Sequence, residues 1–303
     1  MAKVYSKDII EAVNEASCYG ADIEISTVGQ LGDKLSPHSL VWCGDKYLDN
    51  LKSIEVGNVI LSQNGHEFAK RECLHYKNVG WIVVENPRRT FAKILELFFA
   101  KTLPAARIEE TARVSEKSSV HSSAYIGHNV VVEDDCSIGE NVVILHNSTI
   151  LEGTTINENV KIGCNCTIGG VGFGYERDKN GEYVLMPHIG HVLIEANVEI
   201  GNNVCIDRAV IGHTLIGENV KVDNLVHIAH GVSIGRNSLI IANAMVAGSV
   251  QIGENVWVAP SSSIIQKAEI GNNSLIGMGS TVLKDVDPSS IVVGNPAKPL
   301  RSK

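Results

Sequence analysis

The 303-residue chain is 44% hydrophobic, enough to build a core for one large domain or two ordinary ones, which excludes a disordered chain. Its 26 Lys and Arg against 34 Asp and Glu leave a net charge of -8 with no basic run, which argues against nucleic acid as a partner. The opening segment MAKVYSKDII lacks a signal-peptide core and no run of about eighteen apolar residues occurs, so a cytoplasmic protein without an integral membrane segment is expected; seven cysteines without a disulfide-like framework fit a reducing compartment.

Residues 1–100 read as a small α/β domain. Ser6 is placed to cap a helix carrying Ile9, Ile10 and Val13, and VGNVILSQ and GWIVVEN read as buried strands. Pro87 then opens a helix in which Phe91, Ile94, Leu95, Phe98 and Phe99 recur at helical spacing.

From Ile108 an aliphatic residue stands at every sixth position: eleven in unbroken register to Ile168, three from Ile194 to Ile206, and twelve from Ile216 to Val282, or 26 hexads. The residue two places earlier is small or β-branched throughout, as at Ala124, Val226, Ser238 and Ser280. A period of six fits neither a helix nor an alternating strand but a hexapeptide parallel β-helix, with three hexads to a coil and roughly nine coils. Gly and Asn in IGENV, IGNNV and IGRNS suit the corners, where φ turns positive or space is tight. The register makes Cys136 and Cys166 small inward fillers. A β-helix domain over 101–285, an inserted loop at 169–190 and a tail over 286–303 complete the organisation.

Two places break the rhythm. The 26-residue step from Ile168 to Ile194 holds GGVGFGYERDKNGEYVLMPHIGHV, whose Phe173, Tyr175 and Tyr183 suit a ligand cleft or a subunit clamp, with Gly174 beside them. The ten-residue step from Ile206 to Ile216 contains Asp207 and Arg208, read as a structural corner pair. Most of the eleven histidines, among them His38, His66, His75, His121, His128 and His146, are expected to be solvated or packed. In DNLVHIAHGVSIG the register separates His227, facing outward from a strand, from His230, at a corner, where an imidazole suits a general base. Asp223 and Asn224, one hexad earlier, are placed to position a substrate or orient the ring.

DNLVHIAHGVSIG, the GFGYERDKNGEYVLMPHIGHVLI loop, VEIGNNVCIDRAVIGHTLIGENVKVDN and VVENPRRTFAKILELF resemble the UDP-3-O-acylglucosamine N-acyltransferase family of lipid A synthesis, over residues 1 to about 270. The resemblance implies a left-handed β-helix, a homotrimer with active sites between subunits, and a uridine-nucleotide module in the first domain. It further implies His230 as general base, Asp223 and Asn224 as the preceding DN pair, and Tyr47 as the uracil-stacking tyrosine. Four departures stand out. Lys267 replaces the family's second active-site histidine, His227 replaces a glutamine, the aspartate before GFG is lost, and the asparagine accompanying the uracil tyrosine is missing from WCGDKY. The ending VVGNPAKPLRSK instead resembles acetyl-CoA-dependent hexapeptide transferases, where Lys298 would meet coenzyme A phosphates.

The expected activity is N-acyl transfer from a thioester, with acyl-CoA the leading donor, to the amine of a nucleotide-linked amino sugar. Direct transfer is expected, without a permanently bound cofactor and without a metal. His230 takes the proton, His227, Phe173 and Gly174 lie on the substrate side, and Lys267, Lys298 and the backbone N–H groups near Gly248 face the donor and the oxyanion. The alternative is the lipid A enzyme itself with an acyl carrier protein donor. A zinc hydratase of the carbonic anhydrase type, using histidines such as His188, His191 and His213, and a non-enzymatic solenoid are the further rivals.

Overall fold

The computed structural model describes residues 4–13, 16–72, 74, 78–100 and 103–302, so His75 lies outside them. The chain divides into two compact units, Met1–Thr102 and Leu103–Lys303.

The first unit is a five-stranded sheet with helices. It comprises α1 (Ser6–Val13), β1 (Ser17–Gly20), β2 (Thr27–Val28), β3 (Ser39–Trp42), β4 (Gly57–Leu61), α2 (Gln63–Arg71), β5 (Val79–Val83) and α3 (Pro87–Ile94). The order is β1-β5-β4-β3-β2, with β1 antiparallel to β5 and the rest parallel. Every residue of β4 and β5 is buried, as the continuous apolar runs require of central parallel strands. Ser6 is not the cap of α1 but its first residue: its hydroxyl donates to Asp22 Oδ1 at 2.6 Å, and Asp8 Oδ2 accepts from the Tyr5 N–H instead. At α3 the Asn86 side chain accepts from the Arg89 N–H and Pro87 fills the first turn, where its missing N–H has no cost. The apolar pattern runs on past Ile94 into a wider π-type turn over Leu95–Phe99.

The second unit is a left-handed parallel β-helix. Its hexads are two-residue strands stacked into three faces of nine, eight and eleven strands. His227–Ile228 lies in the nine-stranded face, between Cys205–Ile206 and Met245–Val246. The inward Ile and Val form one continuous column of buried side chains, each worth about 1.5–3 kcal/mol when fully buried. The small inward hydroxyls are also buried and are satisfied by backbone: Ser148 Oγ donates to Gly163 O, Ser238 Oγ to Gly253 O and Thr214 Oγ1 to Asp207 O, at 2.7–2.9 Å. The last face gains Ser290–Val293 and Lys298–Ser302, through which the tail closes the end of the prism as an antiparallel pair.

Gly and Asn divide the corner work between them. The residue with positive φ is usually Asn, as at Asn219 and Asn237, whose short amide tolerates the left-handed region. The glycine after the inward Ile is there for close approach. A Cβ on Gly235 would lie 2.6–2.8 Å from backbone atoms of Gly253 and Glu254 in the next coil. Gly235→Ala should therefore lower stability by about 1–3 kcal/mol, read as a reduced unfolding temperature.

The two breaks in rhythm support each other. The first throws out an antiparallel hairpin, Tyr175–Arg177 with Tyr183–Leu185. Where the chain returns, Ile189 N donates to Val210 O, Gly190 N to Ala209 O and His191 N to Gly212 O, so the second excursion pairs with the loop's exit. Asp207 and Arg208 do not form the expected corner pair. Arg208 Nε donates to Gly169 O at 2.6 Å and Nη2 to Glu152 O at 3.2 Å, fastening the loop's entry, while Asp207 turns toward His227.

Candidate active site

His230 follows the buried Ile228 and Ala229 at the corner that ends the nine-stranded face, and is half-buried. Three neighbours fix its ring. From the next coil comes Gly248, where a Cβ would meet Nε2 at 2.6 Å and Cε1 at 2.7 Å. From the loop comes Gly172, where a Cβ would meet His230 Cβ at 2.8 Å and Cδ2 at 3.0 Å. The third is His188, whose ring lies edge-on to it at 5.1 Å between centroids and 83° between planes. Gly172 and Gly174 let the loop backbone lie against two imidazoles.

Burial, with the nearby His188, pushes the His230 imidazole below its ordinary value, so the ring is held neutral and available as a proton acceptor. The Gly248 N–H donates to no group among the described residues. An unengaged N–H on a residue that abuts the base suits a developing oxyanion.

His188 and Asp207 complete the cluster, and neither was singled out for it from sequence. The Nδ1 of His188 is 2.7 Å from the Met186 carbonyl oxygen, which only accepts, so the proton sits on Nδ1 and Nε2 is left as an acceptor. Asp207 Oδ2 stands 3.7 Å from His227 Nε2. Burial pushes the Asp207 carboxyl up, against the opposing pull of His227 and His188. The sequence held a signal for this contact: the ten-residue step makes this coil four residues longer, which stacks Cys205 and Ile206 on His227 and Ile228 and brings Asp207 alongside.

Within one chain, Asp223 and Asn224 do not meet His230; they sit one face away. Asp223 Oδ1 accepts from the Asn224 N–H and side-chain amide, its Oδ2 accepts from Ala242 N, and Asn224 Oδ1 accepts from Asn202. Lys267 is exposed at a left-handed corner, its N–H donating to Gly248 O. Phe173 is 86% exposed and leads an aromatic row on the hairpin, 4.9 Å from the Tyr175 ring, with Tyr183 beyond.

Stacked on His230 in successive coils are Gly248, Gln266 and Lys284. Lys284 and Lys298, both exposed, line a cavity of about 430 Å³ with Val282, Val286, Pro296 and Pro299. Three coils at about 4.8 Å put that cavity roughly 14 Å along the prism from His230.

In the first unit, Tyr47 is 57% exposed on a cavity of about 480 Å³ that Trp42, Gln30, Asn50 and Phe91 also line. Asn50, three residues after Tyr47, lines the same cavity.

Among the described residues no three His, Cys, Asp or Glu side chains are placed to hold a metal ion, and His191 and His213 merely lie side by side, 5.7 Å apart. Cys136 and Cys166 are free thiols that burial pushes up, in keeping with core filling. No helix is long and apolar enough to cross a membrane among these residues.

The family described as bacterial transferase hexapeptide (six repeats) matches residues 135–170, 213–248 and 249–284. A UDP-3-O-acylglucosamine N-acyltransferase of Campylobacter lari is 39% identical, the match covering 75% of this chain and 72% of that protein. A second, UDP-3-O-acylglucosamine N-acyltransferase 1 of Sulfurimonas denitrificans, is 38% identical over 78% and 76%. Among solved structures, the UDP-N-acetylglucosamine O-acyltransferase of Moraxella catarrhalis superposes with a TM-score of 0.59 at 28% identity, over 64% of this chain and 74% of that one. With repeat, fold and relatives in agreement, the chain belongs to the UDP-3-O-acylglucosamine N-acyltransferase family of amide-forming acyltransferases.

Proposed function

We propose that the protein acylates the amine of a UDP-linked 3-O-acylglucosamine, using an acyl carrier protein thioester, which is the second of the two readings drawn from the sequence. The carrying observation is the 38–39% identity to relatives that bear this substrate in their names, joined to a neutral, half-buried imidazole at the corner where the family's base is expected. The acceptor sugar reaches the His230 corner. His230 takes one proton from the substrate ammonium, and the freed amine attacks the thioester carbonyl. The C–N bond forms, the C–S bond breaks, the thiolate leaves as the thiol with the second proton lost by nitrogen, and the Gly248 N–H holds the oxyanion in between. The part of the site contributed by Asp223 and Asn224 comes from a neighbouring subunit of a homotrimer, which the exposed Phe173, Ile189, Ile211 and Met278 support.

A second reading keeps the chemistry and changes the substrates: acyl-CoA as donor and another nucleotide-linked amino sugar as acceptor. What favours it is the tail, which brings Lys298 beside Lys284 at a cavity in line with His230, a distance a pantetheine arm can bridge. Both readings are decided by one assay on the purified protein. UDP-3-O-acylglucosamine and a panel of other nucleotide-linked amino sugars are each offered with 3-hydroxyacyl carrier protein, with the same acyl group on coenzyme A, and with acetyl-CoA. Amide formation fastest with the carrier protein supports the first reading. Turnover with acetyl-CoA alone supports the second, and no amide with any pair of nucleotide amino sugar and thioester overturns both.

A further inference from the structure

We infer that Asp207, with Nε2 of His188 behind it, forms the subsite that takes the acceptor's amine as its ammonium, beside the base that deprotonates it. This inference rests on the acyl-transfer reading given above.

Donors and acceptors are out of balance around Asp207. Asp207 has a side chain only 15% exposed, yet its carboxylate accepts no hydrogen bond among the described residues; the nearest group is His227 Nε2 at 3.7 Å, beyond hydrogen-bond reach. The neighbouring Arg208 offers no compensation, since its guanidinium is committed to the Gly169 and Glu152 carbonyls. His188 is 7% exposed, its Nδ1 is spent on Met186, and its Nε2 lone pair is buried with no partner. His227 and His230 carry no side-chain hydrogen bond among the described residues either.

Acceptors without donors are costly when buried, and a carboxylate without a hydrogen-bond donor more so. A primary ammonium supplies what the set lacks, three N–H donors and one positive charge, whereas a hydroxyl supplies one donor and no charge. The position is also the one the chemistry needs. An ammonium held at Asp207 lies next to His227 and within the cluster that His188 joins to His230, and Gly172 passes both of these rings without interposing a side chain. Burial already pushes the Asp207 carboxyl up, so an arriving cation favours its charged form.

UDP-glucosamine and UDP-glucose, which differ only in amine against hydroxyl at one carbon, are the probes. Their affinities for the full-length protein are measured by calorimetry at slightly acidic pH, where the amine is charged. Wild type should prefer the amine by about tenfold, the worth of one charge-assisted hydrogen bond. Asp207→Asn should bring the ratio to near one, and His188→Phe should lower it in part, with unchanged circular dichroism for both. An unchanged ratio in folded Asp207→Asn, or a wild type that binds both nucleotides alike, overturns the subsite while leaving acyl transfer intact. A wild type that binds neither nucleotide overturns the UDP-sugar reading and the subsite with it.

Discussion

His230→Ala and His230→Asn are expected to fold and assemble as wild type does while losing about 10² to 10⁴-fold in kcat, the usual contribution of a positioned general base. The ring makes no structural hydrogen bond, and its backbone carbonyl, which accepts from Ser249 N, is untouched by the substitution. The pH profile carries the same claim. Only the neutral imidazole accepts a proton, and burial with His188 lowers the His230 value. Activity therefore climbs as pH rises through a value below the ordinary imidazole range of about 6.5, and the base is already mostly competent at neutral pH. In the variants that acid limb should vanish from kcat/KM. Near wild-type turnover in purified His230→Ala would remove the residue from the mechanism.

Gly248→Ala should be nearly as damaging, for a reason no side-chain chemistry supplies. The added methyl would stand 2.6 Å from His230 Nε2 and 2.7 Å from Cε1, well inside van der Waals contact, so the ring must turn away. A base displaced by about 1 Å costs on the order of 10²-fold, and the same methyl crowds the N–H offered to the oxyanion. The unfolding temperature should move little, because the atoms nearest the methyl all belong to one half-exposed side chain and none to backbone. Gly235→Ala offers the contrast. There the methyl meets backbone of the next coil, which cannot yield, so stability falls. Full activity in Gly248→Ala would show that the ring tolerates displacement and that Gly248 is a packing residue only.

The fold was largely legible because its physics is periodic. An inward Ile or Val every six residues, with a small residue two places before it, leaves one arrangement that buries both sets, and the stacked faces follow that register hexad by hexad. His230 was legible in the same way, since two residues past Ile228 is a corner. What the register could not carry were the residues in its interruptions. His188 lies in a 26-residue excursion with no period, and its approach to His230 depends on how the loop returns across Val210 and Gly212. Asp207 was read as the partner of its neighbour Arg208 because the ten-residue step marks an interruption without saying which side chain it turns toward the next coil. The longer coil instead sets it beside His227, twenty residues on.

By itself, then, the sequence determined the repeating architecture, the inward and outward sense of each hexad and the corner that bears the base, because burial of a regular apolar pattern admits one solution. Tertiary structure alone decided which groups gather around that base. Gly172, His188 and Asp207 come from the loop, its return and the longer coil, and their meeting is set by the path of the two interruptions, which the six-residue pattern does not encode.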